Sequence, residues 1–182
     1  LAEDLFWMRF NLPFRLNHIN LYALDTKEGW LLLDCGINSH DIGKQWEMML
    51  SGPLAKKPIC GIIVSHYHAD HVGYAGALAG LTGAPVYMGE VEHAQAIWSL
   101  TQSDDQYGTL LGDTYAQFGL PEMIVDQARA QGNYYRKLSG DLPPVESFGP
   151  SDKFLTTAGC WTPRFDKGHS PGHLSLFDPD RK

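Results

Sequence analysis

Short apolar runs and amphipathic segments follow one another over residues 1–90. Two of the runs, at 30–33 and 59–64, are continuously apolar, which is typical of strands buried on both faces of a sheet. Between them, Ile42, Trp46 and Met49 recur at helical spacing behind residues that can cap a helix. The pattern predicts two strands within residues 5–24, strands at 30–33, 59–64 and 85–88, and helices at 39–50 and 72–81.

The pattern changes near residue 90. From Glu90 to Tyr135, apolar residues recur at three- and four-residue spacing, which predicts two or three helices. Residues 139–153 are rich in Gly, Pro and Ser and return the chain to short strands. We therefore expect one α/β domain over 1–182, with a helical insertion at about 90–138. The last strands are predicted at 154–157, 162–165 and 174–177.

Composition and charge exclude several classes of protein. The chain has 182 residues, of which 43% are hydrophobic and 19% charged, as expected of one globular domain rather than a disordered chain. Its net charge of −7 argues against a nucleic-acid partner, because an acidic surface repels phosphate. No apolar run approaches the ~18–20 residues that a membrane-spanning helix needs, so we expect no membrane association.

The cysteines and the start of the chain indicate a reducing compartment. Cys35, Cys60 and Cys160 are odd in number and widely spaced, which predicts unpaired, small apolar residues rather than disulfides. No basic segment followed by an apolar stretch stands at the start of the sequence. We therefore expect a cytoplasmic protein.

Four residues with metal-binding side chains lie within six positions just after the 59–64 run and Ser65: His66, His68, Asp70 and His71. In an extended segment, residues two apart point the same way, so His66 and His68 can bind one ion together. Asp70 and His71 follow where the chain turns into a helix, and can face a second ion nearby. Because imidazole and carboxylate bind zinc, iron and manganese, the cluster predicts a metal site rather than a group of surface histidines.

A second histidine-containing loop runs from Gly168 to His173. Its sequence is Gly-His-Ser-Pro-Gly-His, and glycine and proline make such a loop stiff while letting other groups approach closely. Upstream, the 30–33 strand ends in a turn that begins with Asp34. These residues suit either metal binding or the support of metal-binding imidazoles.

These three segments resemble motifs of the metallo-β-lactamase fold superfamily and occur in the same order. His66 to His71 completes the signature His-x-His-x-Asp-His, and Gly168 to His173 is similar to a loop of hydrolases related to glyoxalase II. Asp34-Cys35-Gly36 is similar to the early Asp-x-Gly turn of the family. The resemblance implies a four-layer αβ/βα sandwich, incomplete in this chain.

The resemblance also implies a set of metal ligands. His66, His68 and His169 would hold a first metal, while Asp70 and His71 would belong to a second. The expected cofactor is zinc, as one or two ions, with iron or manganese as alternatives.

Two further residues are expected to support the metal site without binding the ion. His173 would contact the ligands or orient the substrate. Asp34 would anchor its loop by accepting hydrogen bonds from backbone or histidine N–H groups.

The end of the chain departs from the family pattern. In the family, the strand after the second loop leads to a Gly-Asp turn whose Asp bridges both metals, and a later His completes the second site. Here the sequence ends at Lys182, and Asp178 and Asp180 come too early to be the bridging Asp. We expect a partial chain that holds at most one metal firmly and turns over weakly or not at all. Exposed apolar edges favour its self-association as a homo-oligomer.

For the intact protein, the resemblance implies that a metal-activated water hydrolyses a small-molecule ester, thioester or lactone. Asp70 would be the catalytic residue that orients the nucleophile and shuttles its proton. Three alternatives remain: an iron-dependent redox enzyme similar to persulfide dioxygenases, a nuclease relative that the acidic charge argues against, and an inactive metal-binding fragment. The aromatic candidates for lining the pocket are Trp98, Tyr107, Tyr115, Phe118, Tyr134 and Tyr135.

Overall fold

The computed structural model describes residues 3–181 and contains both strands and helices. In chain order, the strands are β1 (Leu5–Asn11), β2 (His18–Asp25), β3 (Trp30–Leu33), β4 (Ile59–Val64), β5 (Val86–Met88), β6 (Val145–Ser147), β7 (Phe154–Leu155), β8 (Cys160–Asp166) and β9 (His173–Phe177). The helices are α1 (His40–Ser51), α2 (Ala69–Val72), α3 (Ala75–Thr82), α4 (Glu90–Thr101), α5 (Asp104–Gln117), α6 (Glu122–Gln131) and α7 (Tyr134–Leu138).

The strands form two sheets. The larger sheet has the order β1-β2-β3-β4-β5-β6 and is antiparallel from β1 to β3 and parallel from β3 to β6. The smaller sheet has the order β7-β8-β9 and is antiparallel. Since parallel strands end at the same edge, the loops after β3, β4 and β5 lie side by side.

The centre of the larger sheet, at β3 and β4, is buried on both faces, as the two apolar runs predict. On β4, Ile62 and Val64 pack in a core that includes Ile42 and Trp46 of α1. Ile63, which points the opposite way, packs with Leu174 of β9. Among the described residues, this second core contains only strand and loop side chains. The layer order is therefore helix, sheet, sheet, which confirms the expected incomplete α/β sandwich.

Most predicted elements of the first half are present, with one correction. Helix α1 follows its predicted bounds closely, and the Ser39 hydroxyl accepts a hydrogen bond of 3.3 Å from the backbone N–H of Ile42 as its cap. The helix predicted at 72–81 begins later, as α3 at Ala75, and a separate short helix, α2, precedes it and ends at Val72. A side chain at residue 73 would lie 2.6 Å from the carbonyl oxygen of Leu138, so glycine lets the end of α7 approach α2.

The helical insertion contains four helices rather than two or three. The helices α4 and α5 are separated at Ser103, which caps α5 through a reciprocal bond with Gln106. Asn133 is fully buried at the start of α7, and its side-chain amide donates to the carbonyl oxygens of Ser99 and Gln102. The sequence carries local signals for these breaks, in the polar run 101–106 and in Gly132-Asn133, which the spacing of apolar residues does not register.

Strand β6 was not predicted, because Pro143 and Pro144 precede it and only three residues pair with β5. All three cysteines are free, as expected, although only Cys35 is fully buried. Within residues 3–181, no helix combines the length and apolar character that crossing a bilayer requires.

Candidate metal centre

Three histidines from two distant segments meet at one edge of the larger sheet. His66 lies two residues beyond the end of β4, His68 precedes α2, and His169 lies in the loop between β8 and β9. The Nε2 atom of His66 lies 3.0 Å from Nδ1 of His68 and 3.1 Å from Nε2 of His169. The third side of this triangle, from His68 Nδ1 to His169 Nε2, is 3.1 Å. Within the described residues, these three nitrogen atoms are close enough together to hold one metal ion.

The geometry of this triangle fits a tetrahedral metal. Zinc bonds imidazole nitrogen at about 2.0–2.1 Å, which separates ligand nitrogens by about 3.3 Å in a tetrahedron. The observed nitrogen–nitrogen distances of 3.0–3.1 Å are only slightly shorter. His169 is exposed and His68 is half-buried, so an ion can reach the three nitrogens from solvent.

The charge state of the buried histidines also suits metal binding. Burial, together with the neighbouring His71, lowers the pKa of His66 to about 2. Burial and His169 lower the pKa of His68 as well. Neutral imidazoles offer a lone pair to a cation, so these two residues are ready to act as ligands at neutral pH.

Asp34 organises the loop that carries these histidines. Its backbone lies in the left-handed region, with φ of 66°, and its carboxylate accepts bonds of 2.8 Å and 2.9 Å from the backbone N–H and hydroxyl of Ser65. The Ser65 hydroxyl also lies 2.9 Å from Nδ1 of His66. A hydrogen-bonded path therefore joins Asp34 to a histidine of the triangle.

Asp34 also orients His71. Its Oδ2 atom lies 2.8 Å from Nδ1 of His71, which leaves Nε2 of that ring facing Asp70 at 3.5 Å. Burial lowers the pKa of His71, but the carboxylates of Asp34 and Asp70 outweigh it and leave that pKa raised. Asp70 and His71 are thus side by side next to the triangle without belonging to it.

His173 lies beside the triangle at the start of β9. Its ring centroid is 4.7 Å from that of His66 and 5.8 Å from that of His169. The backbone N–H of Leu174, its neighbour, donates to the carbonyl oxygen of Ser65 at 2.9 Å. This bond joins the start of β9 to the end of β4 and brings the second loop to the first.

A buried carboxylate that sequence reasoning missed contacts both loops. Glu92, in the first turn of α4, accepts hydrogen bonds from the backbone N–H of Tyr67, the hydroxyl of Ser170 and the backbone N–H of Gly172. The local sequence does not mark Glu92, since Glu90, His93 and Gln95 in the same helix are polar as well. Its partners are 25 to 80 positions away.

The insertion contributes aromatic side chains to one side of the centre. The hydroxyl of Tyr135 donates to the carbonyl oxygen of Tyr67 at 2.7 Å, and the Tyr67 ring lies 4.6 Å from that of His68. Tyr107 stacks on Tyr135 with ring centroids 6.4 Å apart. Phe118 does not belong to this group, because it is 78% exposed beyond the end of α5.

Comparison with known proteins agrees with this fold and site. The family model of the metallo-beta-lactamase superfamily matches residues 15–182, so the chain belongs to this superfamily, which includes metal-dependent hydrolases. No curated protein sequence matches the chain.

Solved structures resemble the chain over almost its whole length. A beta-lactamase domain protein from Burkholderia ambifaria is 28% identical, with a TM-score of 0.79, over 99% of this chain and 53% of its own. A metallo-beta-lactamase family protein from Thermus thermophilus is 20% identical, with a TM-score of 0.73, over 97% of this chain and 56% of its own. TTHA1623, in a di-iron-bound form, is 20% identical over 96% of this chain and 67% of its own, with a TM-score of 0.56. The chain thus spans about half the length of the first two structures.

Proposed function

We propose that this chain is part of a hydrolase that uses a metal-activated water on a small-molecule ester, thioester or lactone. The observation that supports this most directly is the convergence of three imidazole nitrogens, each 3.0–3.1 Å from the other two. The proposed ligands of the first ion are His66, His68 and His169. Asp70 and His71, which are adjacent to this triangle, are proposed for a second ion.

Zinc is the proposed ion. When bound, it would lower the pKa of a water molecule and polarise the substrate carbonyl group. Asp70 would orient the attacking water through its carboxylate and take up its proton, since its half-buried side chain stays open to solvent. Asp34 would hold His71 and Ser65 in place, and His173 would support the neighbouring imidazoles or orient the substrate.

The experiment that tests this proposal combines metal analysis with a substrate panel. After dialysis against zinc, the 182-residue chain is expected to retain about one equivalent, because three histidines converge on one position. A protein that extends beyond this chain is expected to hydrolyse a member of a panel of esters, thioesters and lactones. A chain that retains no metal would refute the proposal. A metal-loaded, longer protein inert toward the panel would support the inactive-scaffold alternative.

An iron-dependent redox enzyme is the second candidate, because the similar structure of TTHA1623 is a di-iron-bound form. Iron content together with oxygen consumption would favour this candidate over hydrolysis.

Salt-dependent binding of RNA would favour the nuclease alternative instead. With the hydrolase we also propose a cytoplasmic location and self-association of the chain. Light scattering of the purified chain tests the self-association.

A further inference from the structure

Glu92 of α4 is a fully buried carboxylate. Its side chain is 0% exposed, and no Lys, Arg or His of residues 3–181 forms an ion pair with it. Burying a charged group is costly unless hydrogen bonds or a counter-charge compensate. At Glu92, hydrogen bonds from two loops compensate this cost. The position of the carboxylate therefore depends on both loops.

The two oxygen atoms of Glu92 are divided between the two loops. Oε2 accepts from the backbone N–H of Tyr67 at 2.9 Å, and Tyr67 stands between His66 and His68 in the sequence. Oε1 accepts from the hydroxyl of Ser170 at 2.7 Å and from the backbone N–H of Gly172. The carboxylate therefore binds the first loop between His66 and His68, and the second loop next to His169.

The contact with Glu92 lies next to His169, the exposed histidine of the second loop. His169 is exposed, and Gly168, which precedes it, has a φ of 148° that only glycine adopts readily. Ser170, which follows it, is buried against Glu92. Gly172 is also closely packed, since a Cβ there would lie 3.1 Å from Cβ of Val91 and would require that neighbour to shift. Helix α4 thus determines where the loop that carries His169 is held.

We infer that Glu92 is a positioning residue of the metal centre, whose carboxylate sets the distance between the His66–His68 segment and the His169 loop. This inference rests on the proposed metal site and adds a residue outside the recognised motifs. Hydrogen bonds to a charged group are stronger and shorter than neutral ones, so a carboxylate suits this task better than an amide. Glutamine at this position would present one N–H₂ group to a donor from one loop or the other.

The test compares zinc affinity in the 182-residue chain and its Glu92→Gln variant, by competition with a chromogenic chelator. Loss of a residue that supports ligands typically weakens metal binding by about 10–100-fold, and we expect a loss in that range. Glu90→Gln is the matched control, because Glu90 is exposed in the same helical turn and loses the same charge. It is expected to keep the affinity of the unmodified chain.

The melting temperature without and with zinc separates positioning from a purely structural role. If Glu92 only stabilises the fold, Glu92→Gln lowers both melting temperatures equally and leaves the zinc affinity unchanged, which would overturn the inference. Should that variant not fold, Ser170→Ala removes one of the three hydrogen bonds and is expected to weaken zinc binding several-fold. Unchanged affinity in Ser170→Ala would then overturn it. Failure of the unmodified chain to bind zinc would instead refute the metal site itself.

Discussion

The Nε2 atoms of His66 and His169 lie 3.1 Å apart, although 103 positions separate the two residues. Each residue occupies a loop beside a sheet strand, and the bond from Leu174 to Ser65 joins the two strands where these loops meet. The metal centre is therefore a product of how the two sheets pack, and it can be disturbed from several places in the molecule.

Removal of a histidine of the triangle is expected to abolish tight metal binding. The variant His169→Ala leaves two imidazoles, which cannot complete a three-ligand site. Zinc content after exhaustive dialysis, measured by elemental analysis, should fall from about one equivalent to near zero. His40→Ala is the control, because His40 is exposed at the start of α1 and far from the triangle in sequence. Full zinc content in His169→Ala would show that the ligand assignment is wrong.

The hydrogen bond from Tyr135 to the carbonyl oxygen of Tyr67 should contribute measurably to stability. Tyr135→Phe removes the hydroxyl and leaves a half-buried carbonyl without this partner, so the free energy of unfolding should fall by about 1 kcal/mol. Urea denaturation monitored by fluorescence measures this change. Tyr134→Phe is the matched control on the same helix, where the side chain is 40% exposed, and should change stability little. Equal effects of the two variants would contradict the prediction.

Asn133 should determine whether the helical insertion keeps its arrangement. Its amide donates to the buried carbonyl group of Ser99 and the partly buried one of Gln102, and its side-chain oxygen caps α7 by accepting from the backbone N–H of Arg136. Asn133→Ala removes all three bonds and is expected to lower the free energy of unfolding by about 2–3 kcal/mol. Gln131→Ala, at an exposed position of the preceding helix, is the comparison. Proteolysis within residues 102–133 should accelerate only in the first variant.

Acid sensitivity is expected from Asp4. Its hydrogen bonds with the Arg181 guanidinium outweigh the effect of burial and lower its pKa from 3.8 to about 2, with help from Thr156 and Trp161. Because the folded protein binds this proton more weakly than the unfolded chain, the stabilisation is complete above about pH 4. It is lost as the pH falls toward about 2.

Denaturation at several pH values measures this effect in the unmodified chain and in Asp4→Asn. The difference in unfolding free energy should be largest near neutral pH and shrink between pH 4 and pH 2. Asp113→Asn is the control, since Asp113 forms an exposed ion pair with Arg129 that contributes little. A difference that stays constant down to pH 2 would contradict the assignment.

Local sequence was enough to predict much of the molecule. The apolar runs of β3 and β4 and the cap of α1 depend on neighbouring residues and on the period of the pattern, and the structure has them close to where they were expected. The grouping of His66 and His68 is equally local, because an extended segment places residues two apart on one side. The breaks at Gly73 and Ser103 were not predicted, because the spacing of apolar residues does not register their local signals, a glycine and a capping residue.

By itself, the sequence therefore determined the order of strands and helices and the chemistry concentrated at the end of β4, because both follow from residues within a few positions of each other. The motif resemblance already assigned His169 to the first metal. Only the tertiary structure decided that its nitrogen meets those of His66 and His68, and that Glu92 contacts both loops. Those relationships join residues 25 to 103 positions apart. Their physical reason is the packing of two sheets and helix α4 around a common edge, which no local pattern of side chains encodes.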